Sequence, residues 1–148
     1  MDSYRKPIQI RWADIDANNH LRHSVYYDYG AYLRVQFLAD AGADMRYMQE
    51  HQIGPIIFRE EALFKREVHF NDTISMDLEI VKCSADFSRW TIRHTLVKGD
   101  GTVAAILNLD GAWINTAERK LAVPSGLLSK AFDDMPRAAE FEWIVKNK

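Results

Sequence analysis

The chain has 148 residues, of which 47% are hydrophobic and 27% charged, the balance of an ordinary globular protein large enough to bury a core. A net charge of -2 without any dense Lys/Arg cluster gives no electrostatic reason to expect nucleic acid or anionic lipid as a partner. The single cysteine, Cys83, excludes an internal disulfide and a multi-cysteine zinc site, and reads as a structural thiol near a strand end.

No apolar run approaches the roughly 20 residues of a membrane span, and the opening Met-Asp-Ser-Tyr-Arg-Lys lacks the apolar stretch of a signal peptide. A reducing cytoplasm is therefore the expected location. With no internal repeat, low-complexity segment or Gly/Pro/Ser-rich linker, residues 1–148 are expected to form one domain.

Residues 7–13 alternate Ile8, Ile10 and Trp12 with polar neighbours, which predicts a half-buried strand. A loop of Asp, Asn and His follows, from Asp14 to His23. Residues 24–41 then read as a helix, because Tyr26, Tyr29, Leu33 and Phe37 recur at spacings of three and four and share one face. Ser24 or His23 is its expected cap, and Gly42 stands where a left-handed C-terminal residue is wanted. Gly30 in mid-helix costs up to about 1 kcal/mol relative to alanine, a cost that a close approach of helix to sheet would justify. A short second helix is expected over residues 44–51.

From Ile56 the period changes to two. Ile74, Met76, Leu78 and Ile80 alternate with Thr73, Ser75, Asp77 and Glu79, and Trp90, Ile92, His94 and Leu96 repeat the pattern. His94, on the apolar face, reads as a satisfied core histidine. Asp100-Gly101 marks a hairpin turn into residues 102–115, apolar on both faces around Leu107 and Leu109 and so central in its sheet. A short terminal helix is expected near residues 127–132. The order predicts an α+β fold in which an antiparallel sheet of about five strands wraps one long helix. Such a sheet leaves an edge that a second copy of the chain would cover, so a homodimer is expected.

The informative segment is the loop before the long helix. Asp14, Asp16, Asn18, Asn19, His20 and His23 crowd into ten residues directly ahead of a helix N-terminus. Unpaired N–H groups and the positive end of the helix dipole suit an oxyanion there. One carboxylate on the other side of a carbonyl would then suffice to hydrolyse a thioester, since a thiol of pKa about 8.5 leaves readily as thiolate. The same residue types also serve as turn and capping residues. A metal held by Asp16, His20 and His23 is not expected, as no further ligand cluster supports it. A serine hydrolase elbow and phosphate-binding glycine loops are absent.

The run Ile10-Arg11-Trp12-Ala13-Asp14-Ile15-Asp16, followed by His20, His23, Tyr26 and a long helix, resembles the 4-hydroxybenzoyl-CoA thioesterase-like group of the hotdog superfamily. Gly54-Pro55 with Arg59-Glu60-Glu61, Phe64 and Arg66-Glu67-Val68 continues the likeness, as do Asp86 with Ser88-Arg89-Trp90 and Gly111-Ala112-Trp113 with Arg119-Lys120-Leu121. The resemblance implies a hotdog fold, an acyl-CoA or acyl-carrier thioester as substrate, a dimer or tetramer, and no metal or organic cofactor. It matches Asp16 to the catalytic aspartate, as general base or nucleophile, and places the backbone N–H of His23 as oxyanion donor. His20 matches the histidine of a Gly-His variant, with Asn19 in place of the glycine.

Around that centre the resemblance and strand parity suggest substrate contacts. Tyr26 is a pocket-wall candidate. Glu60 shares parity with Phe58, Ala62 and Phe64, which leaves either a buried ion partner or a pocket carboxylate. Ser88 and Arg89 begin a strand where relatives approach the coenzyme A moiety. Two rivals remain: a hotdog dehydratase or hydratase using His20 with Asp16, and a non-catalytic acyl-CoA-binding module.

Overall fold

The computed structural model describes residues 1–145. Its strands are β1 (Arg5–Ile8), β2 (Ile53–Phe64), β3 (Ile74–Asp77), β4 (Glu79–Ser84), β5 (Arg89–Lys98), β6 (Val103–Asn115), β7 (Lys120–Leu121) and β8 (Arg137–Ile144). The helices are α1 (Val25–Asp40), α2 (Met45–Glu50) and α3 (Gly126–Asp134). All eight strands join one sheet. β2 forms one edge, then come β6 and β5, then β3 and β4 end to end, and β1 and β8 share the far edge. Counted across the sheet that is about the expected number of ranks, curled around α1 in the hotdog arrangement.

The alternating segment behaves as its pattern demands. Ile74, Met76, Leu78 and Ile80 are all buried, while Ser75, Asp77 and Glu79 lie half-buried on the other face. Leu78 marks a change of edge partner: its N–H bonds to Tyr4, whereas the Ile80 N–H bonds to Pro136 at the entrance to β8. β6 is flanked by β2 and β5 and buries Ala104, Ala105, Leu107, Leu109 and Trp113, as expected of a central strand. Gly111 lies in β6 where a Cβ would collide with the Trp90 ring and the Ile56 carbonyl.

On α1, Tyr26, Tyr29, Leu33 and Phe37 form the buried face, joined by Val25 and Leu38. At Gly30 the helix lies close against the sheet: a Cβ there would lie 3.1 Å from the His94 ring of β5, and 3.2 Å from the Arg34 guanidinium of α1 itself. That contact accounts for a glycine in mid-helix. No described helix is long and apolar enough to cross a membrane.

Two elements differ from the sequence expectation. Strand pairing at the start covers Arg5–Ile8, and the chain then tightens into a 3-10 turn over Trp12–Asp14 that leaves Trp12 75% exposed against Phe70. The Asp14 carboxylate accepts the Arg11 backbone N–H at 3.0 Å, so a local side-chain bond ends the extended segment. The second is β8, which runs parallel to β4 at the edge. Few of its side chains are buried, so its hydrophobic alternation is too thin to declare a strand.

Candidate active site at the start of the long helix

Asp14 anchors the loop. Its buried carboxylate accepts three bonds from Arg11, through the backbone N–H, Nε and Nη2, and a fourth from the Tyr29 hydroxyl at 2.8 Å. Burial acts to raise its pKa, but the bonds from Arg11 and Tyr29 outweigh it and hold the carboxyl below its usual range. The 3-10 turn is thereby tied to the first turns of α1.

The next residues fold back on this anchor. The Asp16 N–H bonds to the His20 carbonyl at 2.9 Å, the Leu21 N–H to Val68, and the Arg22 N–H to Asp14. Asn19 adopts φ of 61°, the left-handed region that a glycine would otherwise fill and that asparagine tolerates. The replacement of the family's usual glycine therefore keeps the turn.

Asp16 itself uses one oxygen for the loop, and the other accepts no hydrogen bond among the described residues. Its Oδ1 accepts the N–H of Asn18 at 2.8 Å and of His20 at 3.1 Å. The His20 N–H is the main cause that lowers its pKa; burial opposes, and Asn18, His20 and His23 add to the lowering. The group is thus a carboxylate at neutral pH. It does not cap α1. Nor does the Ser24 side chain, whose hydroxyl instead accepts a bond from Arg22 at 3.0 Å. The backbone N–H groups of His23 and Ser24 make no hydrogen bond among the described residues.

Asp16, His20, Leu21, His23 and Tyr26 form one wall of a cleft of about 300 Å³, with Phe64 to Val68 as the other. Tyr26 is buried, its ring edge-on to Phe64 at 5.0 Å, and burial together with the Asp16 charge pushes its phenol up to about 12. It stands as a neutral wall of the cleft. His20 turns its Nε2 to the Glu67 carboxylate at 3.1 Å.

Three expected contact residues lie elsewhere. Glu60 pairs with Arg34 at 3.7 Å; burial raises its pKa, the Arg34 charge opposes, and Asp28 adds to the rise. Ser88 is buried and donates to Asp86 at 2.6 Å, while Arg89 sits exposed over the Phe58 ring. Within one chain none of the three lines the Asp16 cleft. Arg34 also donates to His94 Nε2 at 2.9 Å, which leaves His94 Nδ1–H to donate to the Asp77 carbonyl. Burial, with the Arg34 charge, pushes His94 down to about 3, so it is the neutral core histidine expected.

A larger cavity of about 490 Å³ escaped the sequence. It lies between the second half of α1, α2 and the first half of β2, walled by Val35, Leu38, Met48, Ile57, Trp90 and other apolar groups, with Arg34 at one side. Its walls come from segments distant in sequence, so no local pattern announces it.

A sheet wrapped around one long helix, with a polar cleft at that helix's N-terminus, defines a hotdog domain. The chain belongs to the thioesterase-like superfamily, whose sequence profile matches residues 10–141. A hypothetical protein from Staphylococcus aureus, solved in complex with CoA, is similar with a TM-score of 0.82 at 19% identity, over 93% of this chain and 89% of that one. A 1,4-dihydroxy-2-naphthoyl-CoA thioesterase from Synechocystis gives 0.80 at 15% identity, over 92% and 99%. A DHNA-CoA thioesterase from Staphylococcus aureus gives 0.75 at 16% identity, over 90% and 86%. At these identities the likeness is one of fold. No curated protein matches the sequence.

Proposed function

We propose that this chain is an acyl-CoA thioesterase that releases free acid and thiol, with Asp16 as base or nucleophile. The observation that carries the proposal is an ionised carboxylate, free of any capping duty, in the same cleft as a helix N-terminus that no side chain among the described residues caps. The thioester carbonyl oxygen would lie over the His23 N–H, where amide donors and the helix dipole stabilise the developing oxyanion. Asp16 either takes a proton from attacking water or attacks the carbonyl carbon itself. In the first route water adds to the carbonyl carbon as the C–S bond breaks. In the second the C–S bond breaks to leave an Asp16–acyl anhydride, which water then cleaves to free acid and regenerated carboxylate. In both the thiolate leaves and is protonated. These residues suffice without metal or organic cofactor. The CoA-bound neighbour supports coenzyme A as the thiol portion.

The acyl group needs an apolar home, and the 300 Å³ cleft is polar and shallow. The apolar cavity abuts β2 at Ile57, whereas the cleft abuts it at Phe64. Seven residue steps along the strand separate those points by about 23 Å. β2 is an edge strand with Ile57, Phe58, Leu63 and Phe64 all exposed. Two copies pairing β2 antiparallel would bring the Phe64 end of one beside the Ile57 end of the other. Asp16 of one protomer would then serve an acyl group seated against its partner, and Glu60, Ser88 and Arg89 would approach the substrate from across that interface.

The test is thiol release from a panel of acyl-CoAs by wild type and Asp16→Asn. The variant should keep its fold and lose roughly two or more orders of magnitude in turnover. Equal rates in the two proteins, or enoyl product without thiol, would overturn the assignment.

A further inference from the structure

Beside the cleft, three metal-ligating side chains converge from two separate segments. His20 comes from the Asp16 loop, and Glu67 and His69 from the segment after β2. One ligand atom from each lies within 4.8 Å of the other two. His20 Nε2 and Glu67 Oε2 are already 3.1 Å apart, and the two imidazole rings are 5.0 Å apart. Donors on a tetrahedral zinc stand about 3.3–3.5 Å from one another, given metal–ligand bonds of about 2.0–2.1 Å. Glu67 and His69 are exposed and need only small side-chain rotations to reach that spacing.

The tautomer of His69 is suited to the task. Its Nδ1 lies 3.2 Å from the Asn19 carbonyl, which can only accept, so Nδ1 carries the proton and Nε2 presents its lone pair. A ligating histidine held through its other nitrogen by a backbone carbonyl is the arrangement that fixes ring orientation at metal sites. The donor set also decides the class of ion. Two imidazoles and one carboxylate suit zinc and its neighbours, whereas magnesium and calcium require oxygen ligands throughout.

The geometry points to a zinc-class divalent cation site formed by His20, Glu67 and His69, whose occupancy clamps the Asp16 loop to the opposite wall of the cleft. His20 and Glu67 each line the cleft, one per wall, so a shared ion bridges its mouth. The Asp16 carboxylate accepts the His20 N–H, so fixing that histidine also fixes the loop around the acid. The ion would slow entry and exit of substrate rather than supply the chemistry. The binding half stands apart from the proposed reaction; only the gating half rests on it.

Zinc sulfate is titrated by calorimetry into untagged wild type, His69→Gln and Glu67→Gln, with cobalt(II) absorption as a second readout. One zinc per chain at micromolar affinity is expected, weakened about tenfold or more in each variant, with cobalt bands of a low-coordinate site that zinc displaces. No binding in wild type, or binding undiminished in both variants, would overturn the site. In the thiol-release assay zinc should inhibit wild type reversibly with chelator and spare His69→Gln, which alters no residue of the cleft wall. Zinc that binds stoichiometrically and leaves the wild-type rate unchanged would overturn the gating half alone.

Discussion

The Tyr29 hydroxyl donates to the Asp14 carboxylate at 2.8 Å, joining a residue in the second turn of α1 to the turn that precedes the Asp16 loop. Because Asp14 is buried and also held by Arg11, this bond fixes where Asp16 sits relative to the helix end. Tyr29→Phe removes one donor from a buried charge and should cost about 1.5–3 kcal/mol of stability. Urea unfolding would measure that loss. Turnover below the unfolding range should fall less than in Asp16→Asn, since Tyr29 positions the loop and does not line the cleft.

Acid titration separates the two aspartates. Both have folded pKa values below the ordinary carboxylate value of 3.8. For Asp14 this contributes stability that is present above the unfolded pKa and lost as pH falls through the folded one. Stability should therefore decline on acidification below about pH 4, and Asp14→Asn should flatten that slope. For Asp16 the same direction sets the activity expected of its proposed role: the acid limb of kcat/KM should lie below 3.8, since that role needs the carboxylate form. A limb near neutrality would assign the chemistry to another group.

Much of this was legible in the chain because burial wrote it there. The three-and-four spacing from Tyr26 to Phe37 names the face of α1, and the Ile74 to Ile80 alternation names the buried face that β3 and β4 share. The Asp16 loop was legible through residue chemistry next to a helix start. Residues that meet only after folding were not: His69 lies 50 positions from the Asn19 carbonyl it binds, and Asp14 reads as one more loop acid until Tyr29 closes on it. Trp12 misled the pattern because an aromatic at an alternating position looks buried, whereas it lies on the surface against Phe70.

The edge of β2 carries the prediction about assembly. Leu63 is 43% exposed on that strand, one residue before the Phe64 that walls the cleft. Leu63→Lys places a charge where two copies are proposed to meet. Sedimentation should show the variant as a monomer with unchanged circular dichroism, and turnover should drop by roughly two orders of magnitude because Asp16 then no longer faces the cavity of a partner. A monomeric variant with full turnover would place the acyl site within one chain.

Acyl selectivity should respond to the cavity without touching the chemistry. Val35 lines it from α1 and is 43% exposed, so a larger side chain there intrudes on the cavity without straining the core. Val35→Phe should leave thiol release from acetyl-CoA close to wild type while lowering kcat/KM for long or aromatic acyl groups. An apolar pocket discriminates by about 1–3 kcal/mol per methylene accommodated or refused, or roughly 10–200-fold. The ratio of long to short substrates should shift by at least the lower of those factors. A uniform loss across the panel would mean that Val35 supports the fold and that the acyl group binds elsewhere.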